Sequence, residues 1–263
     1  MRKQLTLTTT ICCVLVLCGC KQSQAPAEGN IVGTATMPET ADNSASPAAD
    51  IRVDGNTCTY GSHTYTMEGS FTAEEYNRNA TATVTFTNVP ASYQEFEAVY
   101  TQFLGLTPHG AAAMMPMAME MFRRNRDEGQ RCLELLCWPN NVNSVTSQLK
   151  NKFSASQYSP QDDSYIQPYL SAAVLKGATP DNAYTPDYPY TVQMRASVNS
   201  HRELTMSGGG TVVYIYVMGK GWDTEQRSIE VILPTGRTLH QVFNCPSLYT
   251  QCKQIRGDWP GLR

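Results

Sequence analysis

The chain has no cluster of lysine and arginine. Its 20 basic and 23 acidic side chains are spread along 263 residues. Tight binding to nucleic acid draws on many Lys and Arg contacts to phosphate, so this charge distribution argues against a nucleic-acid partner. There is no Gly-x-Ser-x-Gly elbow of the kind that presents a nucleophilic serine. There is no Cys-x-x-Cys pair, and the four histidines (His63, His109, His201, His240) stand singly, which makes a zinc centre a poor reading. Ser, Thr or Glu lies near each histidine, but sequence adjacency does not build a catalytic triad. No internal repeat is visible. The expectation is a chain without a cofactor, leaning away from enzyme activity.

The N-terminus is more informative. Arg2 and Lys3 precede an apolar run from Leu5 to Leu17, followed by Leu17-Cys18-Gly19-Cys20. A basic start, a short apolar stretch and a small residue before the cut are the parts of a signal peptide. The stretch is too short for a permanent transmembrane helix. Its end resembles the lipobox of bacterial lipoproteins, in which cleavage after the small residue frees a cysteine that receives diacylglycerol and an acyl chain such as palmitate. On that resemblance residues 1–19 are the signal peptide and Cys20 is the lipidated residue. Several acyl chains anchor stably, because each buried CH₂ contributes about 0.8 kcal/mol. The implied location is a bacterial envelope, on the periplasmic or outer-surface side, with the membrane as a partner through the lipid.

Residues 20–50 contain Ala, Pro, Ser, Thr, Gly and Asn, with Ile31, Val32 and Met37 as the only bulky aliphatics. Such a segment buries too little apolar surface to offset its ordering entropy. It reads as a tether with a reach on the order of 30 Å. Without Arg2 and Lys3, 18 basic residues stand against 23 acidic, a net charge of −5. Residues 51–263 are long enough for one sizeable domain.

Within that domain, Thr57 to Met67 reads as a hairpin around Gly61-Ser62, and Ala80 to Val89 as a half-buried strand stopped by Pro90. Ser92 to Leu104 is the clearest helix. Phe96, Val99, Tyr100, Phe103 and Leu104 make one apolar stripe, and Ser92 with Glu95 forms a capping box. Thr107 and Pro108 cap and start a second helix, reaching about Arg124, with a kink expected at Pro116. Further helices are expected over Glu128–Cys137 and Ser144–Phe153, and a short one over Tyr165–Leu175. Four strands follow, over Tyr190–Val198, Thr211–Met218, Ser228–Leu233 and Thr238–Phe243, separated by Gly- and Pro-rich turns. The expected class is α+β: an antiparallel sheet from the N- and C-terminal strands, with about four central helices packed on it.

The run Leu104-Gly105-Leu106-Thr107-Pro108-His109-Gly110-Ala111-Ala112-Ala113-Met114 resembles a helix start found in uncharacterised lipoprotein and secreted domains of Bacteroidota-type bacteria. So does the late stretch Phe243-Asn244-Cys245-Pro246-Ser247-Leu248 with Gly257 beyond it. The resemblance covers roughly Pro90 to Gly257. It implies a domain of unknown function and no site residues.

Several chemical leads stand beside this. Met114, Met117 and Met121 share a helix face, with His109 just before them. Soft thioethers suit Cu(I), whereas methionine is also ordinary core filling. Gly110 and the alanines at 111–113 suit close helix packing. Five cysteines remain after Cys20, and of these Cys245 and Cys252 are the pair best spaced for a disulfide. Tyr184, Tyr188 and Tyr190 sit among Pro and Asp, where exposed aromatics would contact a sugar or a protein. The pairs Glu74-Glu75 and Asp162-Asp163 would serve a glycan hydrolase only at a suitable separation. The working expectation is a non-catalytic binding module with an unknown protein or glycan partner. The alternatives are an envelope- or glycan-directed hydrolase and a copper-handling protein.

Overall fold

The computed structural model describes residues 50–71, 80–153, 166–204 and 209–263. The signal segment, Cys20, the tether, Glu74-Glu75 and Asp162-Asp163 lie outside the described residues.

The chain is α+β. Eight strands form one sheet in sequence order, and every neighbouring pair is antiparallel. They are β1 (Ile51–Asp54), β2 (Thr57–Tyr60), β3 (His63–Gly69) and β4 (Thr81–Phe86), then β5 (Tyr190–Leu204), β6 (Gly210–Met218), β7 (Gln226–Pro234) and β8 (Gln241–Asn244). The links Gly55-Asn56 and Gly61-Ser62 are two-residue hairpin turns, with each glycine at a positive φ of 56° or 57°. That left-handed conformation matches the twist of the flanking strands and favours glycine. In β4 the alternation seen in the sequence holds, with Ala82, Val84 and Phe86 buried.

Among the described residues, four helices lie between β4 and β5: α1 (Tyr93–Gln102), α2 (Pro108–Arg124), α3 (Arg126–Leu136) and α4 (Val142–Phe153). The sheet closes over this block by pairing Thr81 with Arg195 through Phe86 with Tyr190. Ser92 caps α1 by accepting from the Glu95 amide, and Thr107 caps α2 by accepting from Gly110. The capping box at Ser92 is only half made. The Glu95 carboxylate takes the Ala91 amide at 2.7 Å, while its other oxygen is held by His63 and Tyr65, each at 2.6 Å. The helix expected over Tyr165–Leu175 is, among the described residues, a single 3₁₀ turn at Ala172–Val174.

α2 is the centre of the fold. It contacts β4, β6, β7 and β8 on one side and α3 on another. Fourteen of its 17 residues are buried, and it runs unbroken through Pro116. A helix apolar all round belongs in the interior. Its small residues permit the approach: a Cβ on Gly129 of α3 would sit 2.0 Å from the Phe122 Cα, and one on Gly110 would sit 2.1 Å from the Leu104 carbonyl oxygen.

Glu120 is the one acid on this helix and is fully buried. Arg123 binds it in bidentate fashion at 2.7 and 2.9 Å, and Arg124 and Ser171 each donate at 2.9 Å. Arg124 also donates to the Leu262 carbonyl at 2.6 Å, and Arg123 stacks on Trp259. One carboxylate thus joins α2 to the 166–175 segment and to the C-terminal tail. A buried charge is tolerable because all its neighbours are donors.

Candidate functional site

A groove of about 560 Å³ separates α4 from the segment that runs through β8 into the short turn Pro246–Tyr249. Its α4 wall follows from helix periodicity. Val142, Val145 and Leu149 point into the core, which leaves Ser144, Gln148 and Asn151 along one flank. Asn244, Thr250 and Gln251 form the opposite wall. Val145, Val242, Cys245 and Tyr249 are buried in the floor together with Lys152.

Both walls are fixed by the backbone. Cys137 bridges to Val242 in parallel, and the Trp138 amide donates to the Val242 carbonyl at 2.8 Å. The Asn141 side-chain amide donates to the Phe243 carbonyl. The outer edge of β8, the last strand of the sheet, is therefore covered at these two carbonyls. On the far side Ser247 clamps the turn to β7, accepting from the Ser228 amide at 2.8 Å and donating to its carbonyl at 3.0 Å. Gln167, fully buried, grips the Cys252 main chain with 2.6 and 2.9 Å bonds.

The site is rich in hydrogen-bonding groups and poor in charge. Asn141, Gln148, Asn151, Asn244 and Gln251 contribute carboxamides, and Lys152 is the one basic side chain among the described lining residues. Burial lowers the Lys152 pKa from its ordinary value, with the Cys252 thiol acting in the opposite direction. The Cys245 sulfur lies 2.5 Å from the Tyr249 hydroxyl. Burial pushes the Cys245 thiol up to about 12 and the Tyr249 phenol well above its usual range. Burial thus disfavours the thiolate and the phenolate at this point of the groove. No Asp, Glu or His lines the groove among the described residues.

The residues singled out in the sequence fall elsewhere or take structural roles. Tyr184 is fully buried, stacks on Tyr169 at 4.9 Å and donates to the Lys253 carbonyl. Tyr190 is buried and its hydroxyl accepts from the Arg263 amide. Only Tyr188, 58% exposed, faces solvent, with Arg263 over its ring. The three tyrosines therefore do not make an exposed contact surface, because two of the hydroxyls are used by the C-terminal backbone.

Met114, Met117, Met121 and His109 are all buried in α2. His109 and Met121 lie about 18 Å apart along the helix axis at 1.5 Å per residue, so the four do not converge on one ion. The Met121 sulfur instead accepts from the Cys132 thiol at 3.6 Å, and His109 packs edge-on against Phe71. No group of three or more His, Cys, Asp or Glu among the described residues is placed to hold a metal.

The expected Cys245–Cys252 bridge is not formed. Both are free thiols, as are Cys58, Cys132 and Cys137. The turn between them sends the side chains to different partners, Cys245 to Tyr249 and Cys252 to Gln167. Cys245 was legible as part of a distinctive stretch, whereas the groove beside it was not, since its two walls lie about a hundred residues apart.

One polar constellation was missed entirely. Glu95, 2% exposed, joins His63 and Tyr65. Burial, then the Glu95 charge, raises the Tyr65 phenol far above its usual range. Its elements come from one hairpin strand, β3, and a helix start, and no spacing in the sequence announces it.

No curated protein and no solved structure matches the chain. A family match does span residues 88–256, which takes in all four helices, strands β5 to β8 and every residue lining the groove. The chain belongs to the family described as a domain of unknown function, DUF6935.

Proposed function

We propose that this protein is a lipid-anchored, non-catalytic binding module displayed at a bacterial envelope, with the groove between α4 and β8 as its ligand site. The observation that carries the binding reading is the lining itself. Carboxamides and hydroxyls face each other across an apolar floor, with no carboxylate or imidazole among the described lining residues to move a proton. Concave sites with a largely apolar floor and a few placed polar groups are the usual form of small-ligand pockets, and this volume lies in their range. A two-carboxylate glycosidase needs paired acids across the cleft, which this lining does not supply.

The anchoring reading rests on Leu17-Cys18-Gly19-Cys20 and the basic, then apolar, stretch before it. Residues 1–19 are removed, Cys20 carries the lipid, and the segment to residue 50 holds the domain of residues 51–263 away from the headgroups. No helix among the described residues is long and apolar enough to cross a membrane.

Fractionation tests the anchor. The protein should partition with membranes and extract into detergent, and Cys20→Ala should move it to the soluble fraction. An unchanged distribution for Cys20→Ala would refute lipidation. The groove is tested by ligand titration, followed by loss of binding in Gln148→Ala.

A further inference from the structure

We infer that the occupant of the groove is a glycan, seated with sugar rings on the apolar floor and their hydroxyls against the carboxamide walls. This rests on the groove being a binding site and names the ligand class.

The chemistry of the walls carries it. A carboxamide offers a donor and an acceptor on one planar group, and so does each sugar hydroxyl. Gln148 and Asn151 on one side and Asn244 and Gln251 on the other present this doubled pattern across the groove. A pyranose ring has the matching form, apolar on its faces and hydroxylated round its edge. Phe243, half-buried, and Pro246, exposed, line the groove beside the buried Val145, Val242 and Tyr249 and supply apolar surface for the faces.

The alternative occupant of a groove beside an edge strand is an extended peptide that adds to the sheet through main-chain hydrogen bonds. Here that mode is blocked. The Val242 and Phe243 carbonyls of β8 are already taken by the Trp138 amide and the Asn141 side chain.

Charge and reach narrow the class. No carboxylate lines the groove among the described residues, so a cationic sugar such as a free glucosamine finds no counter-charge there. A second depression, lined by Asp223, Arg227 and Lys253, shares Thr250 and Gln251 with the groove. A chain longer than the groove can therefore continue over that ridge.

The test is an oligosaccharide array followed by calorimetry on the full-length protein in detergent. The array includes chitotetraose, its fully deacetylated form, maltotetraose and a tetragalacturonate, with an uncharged Gly/Ser decapeptide as control. At least one neutral or acidic oligosaccharide should bind. Gln148→Ala and Asn244→Ala should each weaken it at least tenfold with unchanged circular dichroism. The deacetylated tetramer should bind at least tenfold more weakly than chitotetraose if chitotetraose is the ligand, and a hexamer should bind more tightly than a dimer. If the decapeptide binds and the same variants abolish it, the groove is a binding site but the glycan assignment is wrong. Absence of binding by every oligosaccharide and by the peptide overturns both readings. Sugar binding that survives the Gln148→Ala/Asn244→Ala double variant moves the ligand off this groove and overturns the inference.

Discussion

The Asn141 side chain donates to the Phe243 carbonyl, so the start of the α4 wall is tied to the strand that begins the opposite wall. With the bond from the Trp138 amide to the Val242 carbonyl, it holds the two walls at their spacing. Replacing Asn141 with Ala leaves a carbonyl without its donor. The expected cost is about 1–2 kcal/mol in chemical denaturation, in line with losing one partner of a protein hydrogen bond. Asn141→Asp should cost more, because a carboxylate would face the carbonyl. A midpoint unchanged in both variants would show that the tie contributes nothing.

Glu120 makes a larger prediction. Its carboxylate is fully buried and holds Arg123, Arg124 and Ser171. Glu120→Ala leaves two guanidinium groups without their counter-charge, and removal of one partner from a buried ion pair typically costs about 3–5 kcal/mol. The guanidinium groups are partly solvated, which puts the expectation at the lower end. Because the network reaches Leu262, the tail should loosen first, read as faster amide exchange over residues 257–263 than in the parent.

Tyr65 and Glu95 give a third. Tyr65→Phe removes a 2.6 Å hydrogen bond to a buried carboxylate and keeps the ring. Bonds to charged groups contribute about 1.5–3 kcal/mol. Thermal unfolding should move accordingly, whereas Tyr214→Phe, on β6 and three strands away from this cluster, should leave it unchanged. Equal behaviour of the two variants would remove the special role assigned to Glu95.

The five cysteines predict a reactivity and a pH profile. All are buried free thiols. Burial, joined for Cys58 by the Glu95 charge and for Cys132 by Glu128, pushes Cys58 and Cys252 up to about 11 and Cys132 and Cys245 up to about 12. At pH 8 the folded protein should resist iodoacetamide, and five thiols beyond Cys20 should label after denaturation, counted by mass. A count of three would reveal one bridge. In the unfolded chain these thiols lose protons near pH 8.5. The native state therefore holds more protons between about pH 9 and 12, and stability falls as pH rises through that window. The steepest loss of denaturation midpoint should lie there, and replacing Cys245 with Ala should shallow the slope.

Local features of this fold were readable because their causes are local. Ser92 and Thr107 announce helix starts through their own hydroxyls, and Gly61-Ser62 announces a turn through backbone freedom. The groove has no such cause. Asn141 to Lys152 meets Val242 to Gln251 only after β4 and β5 pair across the whole helical block, and one sequence carries no mark of that register. Composition also misled at Tyr184 and Tyr190. Pro and Asp around them suggest a solvated loop, yet the C-terminal tail folds back and takes their hydroxyls. The methionines of α2 misled in the opposite direction. Period alone splits them into two faces, but the helix is enclosed on nearly every side, so both faces are core.

The sheet order has a consequence for where this family's boundary falls. The matched region opens at residue 88, after β4, so the unit shared with the family holds β5 to β8 and the helices. Within that unit alone β5 would be a sheet margin, with the ladder groups of Tyr190 to Arg195 unsatisfied along one side. In this chain β4 occupies that margin. The four leading strands thus move the sheet margin from β5 to the four-residue β1, and short edge strands are poor templates for pairing; a protein trimmed to residues 88–263 should form edge-to-edge oligomers at concentrations where the full chain stays monodisperse.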